Sequence, residues 1–278
     1  VSWDGEGAAY GGTPSDDSGV ATIAEIRGRG LGVTLYPFVM MDVPADNALP
    51  DPYGGVAQAP YPWRGRITCD PAPGRDGSAD ATAAARTQVE AFCGDAVAAD
   101  FSVSGGAVAY AGPADDWSYR RFVLHMARLA AQAGGVDAFI LGSELRGLTT
   151  LRDGSDAFPF VEQLCDLASE ARALLGAGTK ITYAADWSEY SGHRPEDGSG
   201  DVFFHLDPLW AHDDVDAVGI DNYMPLADWR DGDYAGGNPD GFVGPYDAAG
   251  LRRNIAGGEG FDWFYASAAD RSARLRTP

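Results

Sequence analysis

Short, nearly continuous apolar runs alternate along the chain with stretches whose apolar positions recur every three or four residues. Four of the runs read as strands: residues 32–41 (GVTLYPFVMM), 138–142 (AFILG), 180–185 (KITYAA) and 215–220 (VDAVGI). Unbroken apolar character is expected of strands buried on both faces, as in a parallel sheet. Between them, residues 117–133 place Phe122, His125, Met126, Leu129 and Ala133 at i, i+3, i+4, i+7 and i+11. Residues 158–175 repeat the first four spacings with Val161, Leu164, Cys165 and Ala168. Both segments predict amphipathic crossover helices with those residues turned inward. Gly134, Gly135 and Gly176 follow them, where a left-handed residue commonly ends the last turn. Residues 19–30 (GVATIAEIRGRG) predict a further helix ahead of the first strand.

Such alternation announces an α/β fold with crossover connections, here a (β/α)8 TIM-barrel-like architecture. One barrel of about 250 residues accommodates the whole chain, so residues 1–278 are expected to form a single domain. Residues 45–116 are too long for an ordinary connection and read as one inserted βα loop, with a single predicted helix at 79–92. Because the insertion follows a strand, it belongs to the face where barrel loops build active sites. Its Tyr53, Tyr61 and Trp63 either wall a groove there or pack beneath the loop. After Ile220 the strand signal fades, and no seventh or eighth strand can be read. The opening Val1, Ser2, Trp3, Asp4 and Gly5 include neither an initiator Met nor a basic and apolar leader. The expectation is therefore an internal piece of a longer protein, carrying an incomplete barrel.

Charge and cysteine content narrow the chemistry. Lys and Arg total 20 against 41 Asp and Glu, a net charge of -21 that repels phosphate backbones and anionic membrane surfaces. Direct nucleic-acid binding is thus not expected. No apolar run approaches the roughly 20 residues needed to span a bilayer. Cys69, Cys93 and Cys165 lack metal-ligand spacing; Cys69 and Cys93 bracket a loop and either pair in an oxidising compartment or stay free. The histidines, His125, His193, His205 and His212, are scattered, and His125 falls on the buried face of its predicted helix. Neither a metal nor a cofactor is expected, since no zincin, P-loop, nucleophile-elbow or dinucleotide motif occurs in the required context.

Each predicted strand ends in polar and aromatic residues: Tyr36 and Asp42; Ser143 and Glu144; Tyr183, Asp186, Trp187 and Glu189; Asp221, Asn222 and Tyr223. In a β/α barrel those ends converge on one pocket. Glu144 directly follows its strand and should project into the barrel mouth, as the best catalytic candidate. Glycosidic cleavage needs such a carboxyl to protonate the leaving oxygen, with a second carboxylate about 5 to 9.5 Å away. Partial burial would raise the acid's pKa toward neutrality. Alternatively, Glu144 caps the following turn or pairs with Arg146. Trp187, Tyr223 and Trp229 are side chains that stack on sugar faces, and Asp221 and Asn222 either orient a substrate or tie strand ends together.

Several segments together carry a resemblance: GGTPSD (11–16), GVTLYPFVMMDVP (32–44), PYPWRGRITC (60–69), FILGSELRGLT (139–149), ITYAADWSEY (181–190), VGIDNYMPLADWR (218–230) and GGEGFDWFYAS (257–267). They resemble the glycoside-hydrolase-like TIM-barrel domain of the baseplate or tail-tip protein in gene transfer agents and related siphophages. The resemblance implies a retaining barrel hydrolase with Glu144 as acid/base. It also implies peptidoglycan or host surface polysaccharide as substrate, other tail proteins as partners, and a tail-tip location acting at the host cell surface or periplasm. Two departures stand out. Such barrels carry Asn where this chain has Ser143, and their nucleophile follows a seventh strand, whereas Glu259, the only late glutamate, follows no apolar run. A non-catalytic carbohydrate-binding or architectural barrel is the alternative.

Overall fold

The computed structural model describes residues 2–3, 8–9, 14–154, 156–223, 225–256, 261 and 263–278. Glu259 lies outside the described residues. In chain order the strands are β1 (Ser2–Trp3), β2 (Ala8–Ala9), β3 (Thr34–Leu35), β4 (Phe101–Ser104), β5 (Ala107–Tyr110), β6 (Ala138–Ser143), β7 (Lys180–Asp186) and β8 (Gly219–Asp221). The helices are α1 (Asp16–Gly28), α2 (Ala83–Cys93), α3 (Tyr119–Gln132), α4 (Arg146–Thr149), α5 (Pro159–Leu175), α6 (Asp207–Trp210), α7 (Asp233–Gly236), α8 (Ala248–Ala256) and α9 (Ala268–Ala273). The chain divides into two compact units, Val1–Asp221 and Asn222–Pro278. The division falls where the strand signal fades.

All four predicted strands enter one parallel sheet in the order β3-β6-β7-β8. Two are much shorter than their apolar runs, because β3 keeps only Thr34–Leu35 of residues 32–41 and β8 only Gly219–Asp221. Polar side chains brace the sheet at its amino-terminal edge. Asp137 accepts from the Val33 amide at 2.7 Å, and Asp216 from the Ile181 amide at 2.9 Å. A full (β/α)8 closure is not seen among the described residues, whose parallel sheet has these four strands.

One apolar cluster joins Phe139 and Leu141 of β6, Ile181 and Tyr183 of β7, Val123 and Leu124 of α3, and Phe160, Leu164 and Leu167 of α5. The stripe predicted for α3 is kept in part, because Leu129 is buried and Met126 and Ala133 pack against the core, but the inward face is wider than that stripe. Val123, Leu124, Ala127 and Ala130 face inward, whereas Phe122 is exposed and His125 is only half-buried, bonded to Asp16 Oδ2 at 2.8 Å. The sequence spacing fits two overlapping stripes, and both contribute to the face that packs on the core.

The segment at 45–116 is not a plain loop. Its Cys69, Ala85, Val89, Cys93 and Phe101 belong to the same apolar cluster, and β4 and β5 form an antiparallel hairpin. The hairpin turns on Gly105 and Gly106, both at positive φ, a conformation that suits residues without a Cβ. Cys69 and Cys93 are buried free thiols, so the pairing left open by the sequence is not formed.

The second unit contains α7, α8 and α9 and relies on charge. Arg274 bonds both carboxylate oxygens of Asp233 at 2.6 and 2.7 Å, and Arg276 both of Asp240 at 2.6 and 2.8 Å. Although burial pushes the Asp228 carboxyl up, the Tyr265 hydroxyl and the guanidiniums of Arg276, Arg274 and Arg230 hold it at about 2.

Candidate functional site

At the carboxyl end of β6 the ladder with β7 shifts register between Ile140 and Ser143. Irregularities of this kind re-aim side chains and often stand beside functional sites. Here the shift delivers Ser143 and then Glu144, whose backbone is in the left-handed region at φ 51°. A non-glycine residue there costs on the order of 1–3 kcal/mol and persists only when its surroundings fix it. Two hydrogen bonds to β7 do so: the Glu144 amide donates to Ala184 O at 2.9 Å, and the Leu145 amide to the Tyr183 hydroxyl at 2.7 Å.

Glu144 is 4% exposed. Trp63 Nε1 donates to its Oε2 at 2.7 Å and Arg64 Nη2 meets the same oxygen at 2.9 Å. Its charged partner is thus Arg64 of the inserted segment and not Arg146, and α4 has no side-chain cap at its start, so Glu144 does not cap that turn. Arg64 is the hub. Its Nε donates to Ser143 O and its Nη2 to Ser143 Oγ, each at 2.9 Å, while its guanidinium lies 3.5 Å from the centre of the Phe38 ring.

From Ser143 the network runs to β8. The Ser143 hydroxyl donates to Asp221 Oδ2 at 2.7 Å, and the Tyr36 hydroxyl donates to the same oxygen at 2.6 Å. Burial, with acceptance by Asp221, pushes the Tyr36 hydroxyl far above its usual range, so it remains a donor. Asp221 Oδ2 and Glu144 Oε2 are therefore joined by three short links, of 2.7, 2.9 and 2.9 Å, that pass through Ser143 Oγ and Arg64 Nη2.

The other predicted site residues divide. Tyr183 is fully buried behind Glu144; instead of facing a ligand, its hydroxyl accepts from Leu145 and lies 3.1 Å from Glu189 Oε1. Glu189 is itself buried and accepts from Thr149 at 2.5 Å and from the Asp186 amide at 3.0 Å. Burial pushes its carboxyl up to about 7 despite those donors. Asp186 is buried opposite Asp221 in the β7–β8 register and accepts from the Ser188 amide at 2.9 Å. Trp187 is exposed at the end of β7, and Asp42 is exposed too. Asn222, Tyr223 and Trp229 fall in the second unit, where Trp229 packs edge-on against Tyr234 at 5.1 Å.

Of the insertion's aromatics, Trp63 reaches the site, whereas the Tyr53 hydroxyl donates to Arg66 O at 3.1 Å and its ring carries the Arg66 guanidinium. Nothing in the local sequence singles out Arg64. The only signal for it is general, namely that a carboxylate buried at a strand end requires a cationic or N–H partner. Two of the scattered histidines also come together, the His193 and His205 rings lying 6.0 Å apart. Among the described residues, no three acidic, His or Cys groups gather in a way that would hold a metal ion.

Sequentially ordered parallel strands joined through helices, with polar side chains gathered at their carboxyl ends, define an α/β protein of the TIM-barrel-like class. The chain belongs to the GTA TIM-barrel-like domain family, the barrel-like domain of gene transfer agents, whose family model matches residues 117–278. Membership associates it with gene-transfer-agent particles. No curated protein matches the chain. Ser143, Glu144 and Asp221 lie inside the matched stretch, whereas Tyr36, Phe38, Trp63 and Arg64 lie outside it.

Proposed function

We propose that this domain is a glycoside hydrolase of the particle's tail tip, opening peptidoglycan or host surface polysaccharide during DNA delivery, on a (β/α)8 framework. Glu144 is the acid/base. The observation that carries the reading is a buried glutamate held at φ 51° at the end of an inner strand, with Asp221 tied to it through Ser143 and Arg64. Strain of this kind clusters where a side chain must be aimed. Trp63 and Arg64 both converge on Oε2, which leaves Oε1 as the oxygen that would exchange a proton with the glycosidic bond. Asp221, accepting from Tyr36 and Ser143, orients the substrate and is the second carboxylate in reach.

Retaining enzymes hold their two carboxyl groups about 5.5 Å apart, and inverting ones leave room for a water at about 6.5 Å or more. A path of three hydrogen bonds between Glu144 and Asp221 accommodates either spacing. The resemblance to retaining barrels favours the first. The direct test is release of reducing ends from host envelope fractions by the full-length protein and by its Glu144→Gln form, with the product anomer read by NMR. A loss of at least about a hundredfold in the variant is expected of an acid/base residue. A second reading, a carbohydrate-binding or architectural barrel, is favoured by one observation: Oε2 is already satisfied from the inserted segment. Envelope binding without sugar release by either form would establish it.

A further inference from the structure

Two aromatic side chains flank the Arg64–Glu144 pair, and neither is spent on the core. Trp63 is 40% exposed and Phe38 is 44% exposed. Exposed aromatics are ordinarily mobile, but both of these are fixed. The Trp63 indole is tethered by its N–H to Glu144 and folds over Gly65, where a Cβ would stand 2.4 Å from the ring. Phe38 is held on one face by the Arg64 guanidinium at 3.5 Å and meets Tyr36 edge-on at 5.7 Å. The two segments are joined through the backbone as well, the Tyr61 amide donating to Val43 O at 2.9 Å.

We infer that Trp63 and Phe38 form an aromatic subsite that receives an extended glycan of uncharged or amino sugars beside Glu144. Rigid apolar faces next to hydrogen-bonding groups match a saccharide, whose C–H faces stack while its hydroxyls bond. Preorganised rings bind without the ordering cost that mobile ones incur. The charge selects within the class. With a net charge of -21 and Asp221 in the same network, long-range repulsion disfavours uronate chains and leaves neutral or cationic sugars. The inference rests on the glycosidase reading for its site, and it adds the substrate class and two residues outside the family match.

The test measures binding apart from turnover. The full chain in its Glu144→Gln form is titrated with chitohexaose, a chitosan hexamer and a hexagalacturonate, by calorimetry and tryptophan fluorescence. Binding of the first two, with the uronate at least about tenfold weaker, is expected. Trp63→Ala and Phe38→Ala should each weaken binding roughly three- to tenfold, the share of one aromatic contact. Trp63→Phe, which keeps a ring and loses the N–H, should bind within about threefold of the parent and shows that any loss in Trp63→Ala is not misfolding. Unchanged affinity in both alanine variants, equal affinity for the uronate, or no binding of any oligomer overturns the inference. If the wild-type protein releases sugar while the alanine variants bind normally, the subsite is wrong and the glycosidase stands. Ring-dependent binding without any sugar release keeps the subsite and removes the glycosidase.

Discussion

Arg64 is the side chain that joins Glu144 to Ser143 in the strand-end network, and its removal gives the sharpest test of that network. Arg64→Met keeps a linear stem of similar length and deletes the charge together with the donors to Ser143 O, Ser143 Oγ and Glu144 Oε2. Both members of the Arg64–Glu144 pair have side chains less than a tenth exposed, so solvent cannot replace the lost partner. Breaking a buried pair from one side costs roughly 3–5 kcal/mol, because the remaining charge stays desolvated. At about 2–4 °C per kcal/mol for a unit of this size, the midpoint should fall by on the order of 10 °C. The assay is thermal and urea unfolding read by fluorescence, the first for the midpoint and the second for the free energy, with hydrogen exchange at β6 amides to keep the first unit in view. Glu144→Gln supplies the control, since with no charge to strand, Arg64→Met should then cost at least about 2 kcal/mol less. A cost below about 1 kcal/mol for Arg64→Met alone, or no coupling between the two substitutions, would refute the claim that Arg64 holds Glu144.

Two further predictions concern acid and base. The Glu189 carboxyl, pushed from 4.5 up to about 7 by burial, contributes stability that is whole below pH 4.5 and is lost as the pH rises through 7. Glu189→Gln should therefore flatten the decline between those limits, a span bounded by about 3 kcal/mol, and an unchanged slope in pH-dependent unfolding would remove Glu189 as its source. His205 has the opposite sign: burial lowers its pKa from 6.5 to about 4, so stability is present above pH 6.5 and is lost as the pH falls through 4. The ring is 2% exposed, neither nitrogen has a hydrogen-bond partner among the described residues, and Phe158 lies 5.5 Å away. His205→Phe should raise the melting temperature more at pH 5 than at pH 7.5, and an equal shift at both would show that the imidazole titrates unhindered.

The sequence made the sheet legible because its signal is local. An apolar run buried on both faces looks the same wherever it pairs, and β6 and β7 stand nearly where their runs begin and end. The lengths of β3 and β8 were not legible, since pairing partners rather than side-chain character decide where a ladder stops. The Gly105, Gly106 hairpin was present as a turn signal, but short alternating FSVS and AVAY on either side were outweighed by the polar composition around them. At the site, Glu144, Ser143, Tyr36 and Asp221 could be found because strand ends of a parallel sheet converge by topology. Arg64 and the inward turn of Tyr183 could not. One depends on a fold-back of 79 residues to Ser143 and the other on the left-handed turn at Glu144, and neither leaves a mark in local spacing.

That fold-back separates the family segment from the structural unit. The acceptors of the network, Glu144, Ser143 O and Asp221, stand within residues 117–278, but apart from the Ser143 hydroxyl its donors, Tyr36, Trp63 and Arg64, come from before residue 117. The core divides in the same way, because Ile23, Val33, Cys69 and Val89 share one apolar cluster with α3, α5, β6 and β7. Without the earlier segment, Glu144 would be a carboxylate stripped of its guanidinium at a strained backbone position, with open apolar surface around it. Both penalties act on the same strand end. The β7 bonds hold the left-handed turn and the inserted segment neutralises the carboxylate that the turn delivers, so the acidic end of β6 and the arginine-bearing turn at 64–66 are two halves of one structural requirement.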